Sequence, residues 1–531
     1  MEWGESMTLM RFQTRRWVTV AGCIALLSCS SDETAGGAAP NGTTLTPAGA
    51  GPAVNAPVGS GATPQTGIGS AAVANNPAAD PGPQATGTAQ PPSTGIFQPM
   101  PMMPNTGPAA TPDDPSAMPD GQEPQSDTDM TAEDGPLNMA PAEFGPNIRV
   151  NDDSGRAMQA EVVMASRPDG LVFVGFMDTR DRLQRCGFAV SKDGGETWEK
   201  NTFAATQGSG RAFAGDPAVA IDDEGNLFAG CQDYASGGLG TNYILLAHSK
   251  DEGASWSDFK RVNQSLDKPW LGALGDGTVL VSWLGRPGGV KRSEDYGETW
   301  SEPESLGYIN HGTTISIGST GLVHMGYNTN ETTVTYRRSK DYGETWERAR
   351  DLSPQGRPCR APCAPRSHPI VGGDADPTGQ VVALTWASRQ DHPDAENDDD
   401  VWVIVSYDEG ETFSDPIRVN DNATPSRQFQ PWAAVDKYGA VHVVWTDLRD
   451  GGQNNTYYAR MVDPDVGFEP NVKINDDAGP ADGFLGDYKG IDIQGRDVIV
   501  TWADTRDDSG DIYFARAREA AAAGGPLTMK D

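Results

Sequence analysis

The sequence predicts an all-β fold, a seven-bladed β-propeller of four-stranded antiparallel blades, and three observations carry that expectation. A turn of the form Ser-x-Asp-x-Gly-x-Thr-Trp, or a close variant, recurs five times between residues 191 and 413. Seven stretches with the period-2 alternation of a strand precede or follow these turns at corresponding places. The segment 146–152 repeats the wording of two strands that lie far downstream. A motif that recurs at irregular intervals marks an array in which each unit packs only on its neighbours.

The turns are Ser191-Lys-Asp193-Gly-Gly195-Glu-Thr197-Trp198, Ser249-Lys-Asp251-Glu-Gly253-Ala-Ser255-Trp256, Ser293-Glu-Asp295-Tyr-Gly297-Glu-Thr299-Trp300, Ser339-Lys-Asp341-Tyr-Gly343-Glu-Thr345-Trp346 and Ser406-Tyr-Asp408-Glu-Gly410-Glu-Thr412-Phe413. Each residue type has a mechanical task. The Asp accepts backbone N–H groups across the turn, the Gly takes a positive φ, and the aromatic swings back beneath the sheet as an anchor. Asp193, Asp251, Asp295, Asp341 and Asp408 are therefore read as structural.

These residues resemble the Asp-box (BNR) repeat of the sialidase-like β-propellers, over most of residues 146–518. The resemblance implies a ring of blades with the boxes on the outer bottom rim and a ligand site in the funnel of the opposite face. It implies an activity on extracellular glycans. Sialidases have six blades, so six is the runner-up count, and the Phe/Tyr-Arg-Ile-Pro motif that opens many of them has no counterpart at Asn147-Ile-Arg149-Val.

The blade count rests on the second strands, at Leu171–Phe176, Leu227–Cys231, Thr278–Trp283, Leu322–Tyr327, Val381–Trp386, Val441–Trp445 and Val498–Trp502. The last unit runs out after Ile512-Tyr-Phe-Ala515 without an outer strand. Pro146-Asn-Ile-Arg-Val-Asn-Asp152 echoes Pro416-Ile-Arg-Val-Asn-Asp421 and Pro470-Asn-Val-Lys-Ile-Asn-Asp476, which are outer strands. The N-terminal segment is expected to complete the last blade and leave no long exposed edge.

The chain is expected to fall into four parts. Residues 1–29 read as a lipoprotein signal peptide: basic residues, an apolar run from Trp17 to Leu27, then Leu26-Leu27-Ser28-Cys29, with Cys29 as the lipidated residue. Residues 30–145 are rich in Ala, Pro, Gly and Thr, with no Lys or Arg between Arg16 and Arg149, and read as a disordered acidic linker. Residues 146–518 are the propeller and 519–531 a disordered tail. The expected location is the bacterial cell envelope, by a lipid anchor, at the outer membrane or cell surface. A formal net charge of −34 argues against nucleic acid as a partner, since phosphate binding needs basic stripes. An extracellular glycan or a surface protein is the expected partner, and the protein is expected to be a monomer.

Four cysteines remain after Cys23 and Cys29, and an even number in an exported chain suggests disulfides. The expected pairs are Cys186–Cys231 between neighbouring blades and Cys359–Cys363 within a loop. No metal or cofactor is expected. The Asn-Asp runs at 151–153, 420–422 and 475–477 and Asp398-Asp-Asp400 offer oxygens for calcium, but their spacing matches no defined loop.

Candidate chemistry gathers on the funnel face. Asp178-Thr-Arg180-Asp181, Asp447-Leu-Arg449-Asp450 and Asp504-Thr-Arg506-Asp507 close their second strands, with remnants at Arg286 and Arg389. One reading is a ring of guanidinium groups aimed at a ligand carboxylate; the other is that each Arg pins its own loop through the neighbouring Asp. Glu161, Asp216, Asp487 and Tyr488 are the catalytic candidates, at the entries to inner strands, beside Lys268 and Gln430. Sialidases pair a Tyr nucleophile with a Glu and use a separate acid, and the resemblance offers the nucleophile's role to Tyr488. His311 and His368 hold comparable entry positions. Trp270 and Trp432, with Tyr234, offer faces for a sugar ring or are inner-strand packing. The competing class is a non-catalytic platform for protein assembly. An enzyme predicts an asymmetric cluster of perturbed carboxyls, and a platform predicts an ordinary, blade-symmetric surface.

Overall fold

Seven antiparallel sheets follow one another along the chain, one per blade. The computed structural model describes residues 142–518 except 156, 181–183, 204–212, 235–240, 330–332, 355–369, 390–397, 481–482 and 508–509. The lipobox with Cys29, the linker up to residue 141, the tail, Cys359, Cys363 and His368 lie outside the described residues. No helix among the described residues is long and apolar enough to cross a membrane.

Blades 1 to 6 comprise residues 159–203, 213–264, 267–307, 313–354, 372–418 and 428–473, each with four strands in sequence order. Blade 7 takes its three inner strands from Gly490–Gln494, Asp497–Asp504 and Asp511–Arg518. Its outer strand comes from the other end of the described chain. Ile148 lies opposite Phe514 and Arg149 opposite Tyr513, and the Val150 N–H donates to the Ile512 carbonyl at 2.8 Å. The seven-bladed count and the closure expected from the sequence both hold. The closing strand also starts earlier than residue 146, because Glu143 and Phe144 pair with Arg518 and Ala517.

All five turns have one geometry. The Ser hydroxyl donates to the Asp at 2.7–2.8 Å, the Thr or Ser backbone N–H to the same carboxylate at 2.8–2.9 Å, and the Gly N–H to the Ser hydroxyl at 2.8–2.9 Å. Bonds from Thr412 hold the Asp408 carboxyl down at about 2. Two consecutive residues take a positive φ, and in four turns the first is not glycine: Glu252, Tyr296, Tyr342 and Glu409. The terminal aromatic packs on the preceding blade. Trp256 lies 5.6 Å from Phe173, Phe413 5.0 Å from Tyr336, and Trp198 of blade 1 lies 5.5 Å from Phe514 of blade 7.

The other two blades replace the turn differently. Blade 6 carries a worn form, Met461-Val-Asp463-Pro-Asp465-Val-Gly467-Phe468, in which Glu469 N–H still donates to Arg460 as Glu199 does to Val190. Blade 7 has none, and Phe144 supplies the aromatic, edge-on to Tyr458 of blade 6 at 5.4 Å. The Cys186–Cys231 disulfide joins the third strand of blade 1 to the second strand of blade 2, as expected.

Candidate functional site

The inner strands make the site because four of them bulge, among the described residues, at the same depth. The register shifts between Ala160 and Val163, Gly215 and Ala218, Asp267 and Trp270, and Phe429 and Trp432. A bulge re-aims a side chain that regular pleating would send into the sheet. Here the re-aimed residues are Glu161 (φ 56°), Asp216 (φ 46°), Lys268 (φ 48°) and Gln430 (φ 54°). Each holds a left-handed backbone without being glycine, a strain of about 1–3 kcal/mol that persists where surrounding structure over-determines it. In blade 7 the left-handed residue at the strand entry is Gly486, where a Cβ would run into Glu161.

The side chains converge into one buried polar cluster. Lys268 Nζ pairs with Asp216 at 3.3 Å and with Asp487. Tyr488 donates to Asp216 Oδ1 at 2.6 Å; Tyr234 bonds Asp216 and also Asp267, at 2.7 Å from Asp267 Oδ1. Gln430 donates to the Gly486 carbonyl. Three of the four catalytic candidates, Asp216, Asp487 and Tyr488, are thus joined through Lys268 and hydrogen bonds. Glu161 lies beside them, its charge acting on both phenols. Sequence reasoning missed Asp267 and placed Tyr234 only as a stacking face; the signal for Asp267 was its place directly before Lys268.

The two central acids are driven apart. Burial raises the Asp216 carboxyl, but the Lys268 charge and hydrogen bonds from Asp267, Tyr234 and Tyr488 outweigh it and hold Asp216 low. Burial first, then the Asp216 charge, push Asp267 up to about 7. Burial and the same charge hold both phenols well above their usual range. At rest the cluster therefore contains ionised Asp216, neutral Tyr234 and Tyr488, and a carboxyl that keeps its proton up to neutrality. Divergent environments for neighbouring acids are how one site supplies both an acid and a base.

Beneath this layer Trp270 and Trp432 stack on each other at 4.7 Å from opposite parts of the ring, and Tyr488 stands edge-on to both. The faces read from the sequence as sugar platforms cover one another, so in this structure the pair is packing. His311 is half-buried at the entry to blade 4.

The arginines do not converge on the axis. Arg180, Arg449 and Arg506 each grip the Asp two residues before them: Asp178 at 3.0 Å, Asp447 at 3.0 Å and Asp504 at 2.7 Å. Each reaches an Asn before its own outer strand, Asn201, Asn471 or Asn147, at 2.9–3.1 Å, and an Asp after the preceding blade's outer strand, Asp152, Asp421 or Asp476. Phe203, Tyr457 or Tyr513 lies under the guanidinium at 4.2–4.6 Å. Of the two readings, the contacts are those of pinning: three inter-blade clamps, each Arg held between the Asp that ends its own second strand and groups beside two outer strands. Arg389 lies 3.8 Å from Asp399, which also meets Arg427 at 3.2 Å.

Among the described residues no group of three His, Cys, Asp or Glu side chains is arranged to hold a metal ion. The Asn-Asp runs are hydrogen-bonded turns, with Asn151 donating to Asp153 and Asn420 to Asp400 at 2.6–2.7 Å.

No family model and no curated protein matches the chain. Among solved structures it is similar to an ulvan lyase (TM-score 0.45, 12% identity, covering 70% of this chain and 95% of that one). It is similar to the α-L-arabinofuranosidase of Fusarium graminearum (TM-score 0.42, 11% identity, 71% and 98%). A Hadza microbial sialidase gives a TM-score of 0.41 at 15% identity, over 68% of this chain and 66% of that one.

Proposed function

We propose that the chain is an exported, envelope-anchored propeller that binds extracellular glycans and cleaves glycosidic bonds at its axial cluster. The observation that carries this reading is the pair of acids held apart around one tyrosine network, Asp216 ionised and Asp267 protonated near neutrality. In this reading the Tyr488 oxygen attacks the anomeric carbon while Asp216 takes the phenolic proton across the 2.6 Å bond, and Asp267 protonates the departing glycosidic oxygen. The sialidase resemblance implies a tyrosine partnered by a Glu with a separate acid; here Asp216 stands in the place of that Glu. Sialic acid as substrate would need other groups for its carboxylate, because three of the expected arginines serve as clamps. Export and anchoring through Cys29 belong to the proposal, and the Cys186–Cys231 disulfide supports an oxidising compartment.

The test is turnover of a panel of fluorogenic glycosides, a sialoside included, by the mature chain. The expected result is hydrolysis abolished in Tyr488→Phe and Asp216→Asn, with a basic limb near pH 7 that disappears in Asp267→Asn. No turnover of any glycoside would overturn the catalytic part.

One observation favours a second reading, the non-catalytic platform. Lys268, Asp216, Asp487 and Tyr488 are all at most 5% exposed and tie blades 2, 3 and 7 together. On that reading the cluster is a polar pin at the axis. Silence on both the glycosides and a glycan array decides for it.

A further inference from the structure

One contact of the axial cluster takes no part in the acid–base chemistry proposed above. Lys268 Nζ meets the Asp487 carboxylate, although the two residues lie 219 positions apart in the chain. Lys268 belongs to the inner strand of blade 3, and Asp487 to the segment that leads into the inner strand of blade 7. Blades 1 and 2 separate them on one side of the ring and blades 4 to 6 on the other, so the pair spans the axis.

Burial makes this a costly place for two charges. The Lys268 and Asp487 side chains are 5% and 0% exposed. Withdrawing an ammonium and a carboxylate from water costs free energy even when they pair, and an amide carries neither charge. Water is also the reagent that would hydrolyse an amide, and the Asp487 carboxyl is closed to bulk solvent.

Both ends are held in place. Lys268 leaves a left-handed bulge, and Gly312 at the entry to blade 4 lies along its stem, where a Cβ would sit 3.5 Å from Cδ. Asp487 follows the left-handed Gly486, whose carbonyl accepts from the Gln430 amide. Reacting groups fixed in contact by separate rigid elements reach effective concentrations of roughly 10⁵–10⁸ M. A second carboxylate is at hand, since Asp216 Oδ1 lies 3.3 Å from the same Nζ. Tyr488 lines the pair, its ring centre 5.1 Å from Nζ, with Trp270 and Trp432 packed against it.

We propose that Lys268 and Asp487 condense to an isopeptide bond that ties blade 3 to blade 7 across the axis. Lys268 Nζ attacks Asp487 Cγ, and the new N–C bond replaces one C–O bond. Two of the three ammonium protons leave with that oxygen as water. Asp216 takes one of them from nitrogen and passes it to the departing oxygen. The ion pair itself supplies every atom, with no change of oxidation state and no co-reactant. The contacts described above are those of the ion-paired state from which the bond forms. Tyr234 and Tyr488 keep their bonds to Asp216 when the Lys268 charge is lost. The chain from Lys268 to Asp487 becomes a closed loop through blades 3 to 6, and unfolding the strands leaves that loop closed.

The test is peptide mapping of the full mature chain by mass spectrometry, after reduction, unfolding and digestion with chymotrypsin. Cleavage after Phe259, Trp270, Phe484 and Tyr488 releases both residues on short peptides. The expected result is a branched peptide, lighter by one water than its two linear parts together, with the branch placed on Lys268 and Asp487. On a reducing denaturing gel the chain should run faster than Lys268→Arg, which keeps the charge but cannot form the amide. In Asp216→Asn the folded fraction should hold at least tenfold less of the branched peptide. Linear peptides alone from the wild type overturn the proposal, whatever the variants do. A branch on other residues, or one that persists in Lys268→Arg, overturns it as well, and an undiminished yield in Asp216→Asn overturns the proton route. Glycoside turnover enters none of these readouts, so the bond and the catalytic reading fail separately.

Discussion

Ile148 lies directly opposite Phe514, so the N-terminal segment is hydrogen-bonded to the last strand of the chain and gives blade 7 its outer strand. A closed ring puts every blade between two neighbours, and in blade 7 the sheet itself is joined from the two ends of the described chain.

Breaking that seam should cost the whole fold. Val150→Pro removes the N–H that donates to Ile512 at 2.8 Å and places a ring in a paired strand. The Ile512 carbonyl is left without that donor, an expected loss of about 1–3 kcal/mol, read as a lower midpoint in urea. An unchanged midpoint would show that the N-terminal strand is dispensable to closure.

The clamps should be unequal inside themselves. In a double-mutant cycle, Arg506 and Asp504 should couple by about 1.5–3 kcal/mol, as charge-assisted bonds with a buried carboxylate do. Arg506 and Asp476 should couple by no more than about 1 kcal/mol, because the Asp476 side chain is 59% exposed and water screens it. Arg506→Lys should resemble Arg506→Ala, since a point charge cannot reach three partners at once.

Asp374 gives a pH signature. It accepts from Ser316 at 2.8 Å near the axis, and burial first, then the Asp492 charge, raise its carboxyl to about 7. The folded state thus holds this proton more tightly than the unfolded chain, whose Asp titrates at about 3.9. Its stabilising contribution is complete below about pH 4 and is lost as pH rises through 7. Asp374→Asn should therefore flatten the decline in melting temperature between pH 4 and 7 and be the more stable form at pH 8. A wild type whose melting temperature does not fall relative to the variant over that window would contradict this.

The axial cluster should be intolerant of losing one partner. Asp216→Ala deprives Lys268, Tyr234 and Tyr488 of a shared acceptor while Lys268 keeps Asp487. Removing one member of a buried ion pair costs about 3–5 kcal/mol. Tyr488→Phe should cost far less, about 1 kcal/mol for one hydrogen bond. Equal melting curves for wild type and Asp216→Ala would mean the cluster is solvated and the described network is not what holds it.

The chain announces its repeats in types that sterics and turn chemistry enforce. Asp295 must accept across its turn and Gly297 must be left-handed, so both are written into the residues. The worn turn at Asp463–Phe468 escaped because Met461 replaces the Ser, Asp465 the Gly and Gly467 the Thr, although the aromatic survives. Phe144 could not be read as the missing anchor of blade 7, because nothing local to it says that Tyr458 waits on another blade. The D-x-R-D signature was visible, but its geometry was not. Whether Arg449 faces the axis or the outer strand depends on Asp421 and Asn471, which reach it from neighbouring strands.

By itself the sequence determined the blade, the number of blades and the partner of the first strand, because turn chemistry and strand alternation act over a few residues and repeat. Only the tertiary structure decided the site. Glu161, Asp216, Lys268 and Gln430 adopt left-handed bulges that their residue types do not advertise, and Asp216, Lys268 and Asp487 meet only when the ring brings blades 2, 3 and 7 to one axis. Burial raises both acids at that meeting point; the Lys268 charge and the hydrogen bonds made to Asp216 hold it low, while Asp267, beside that charge, keeps its proton.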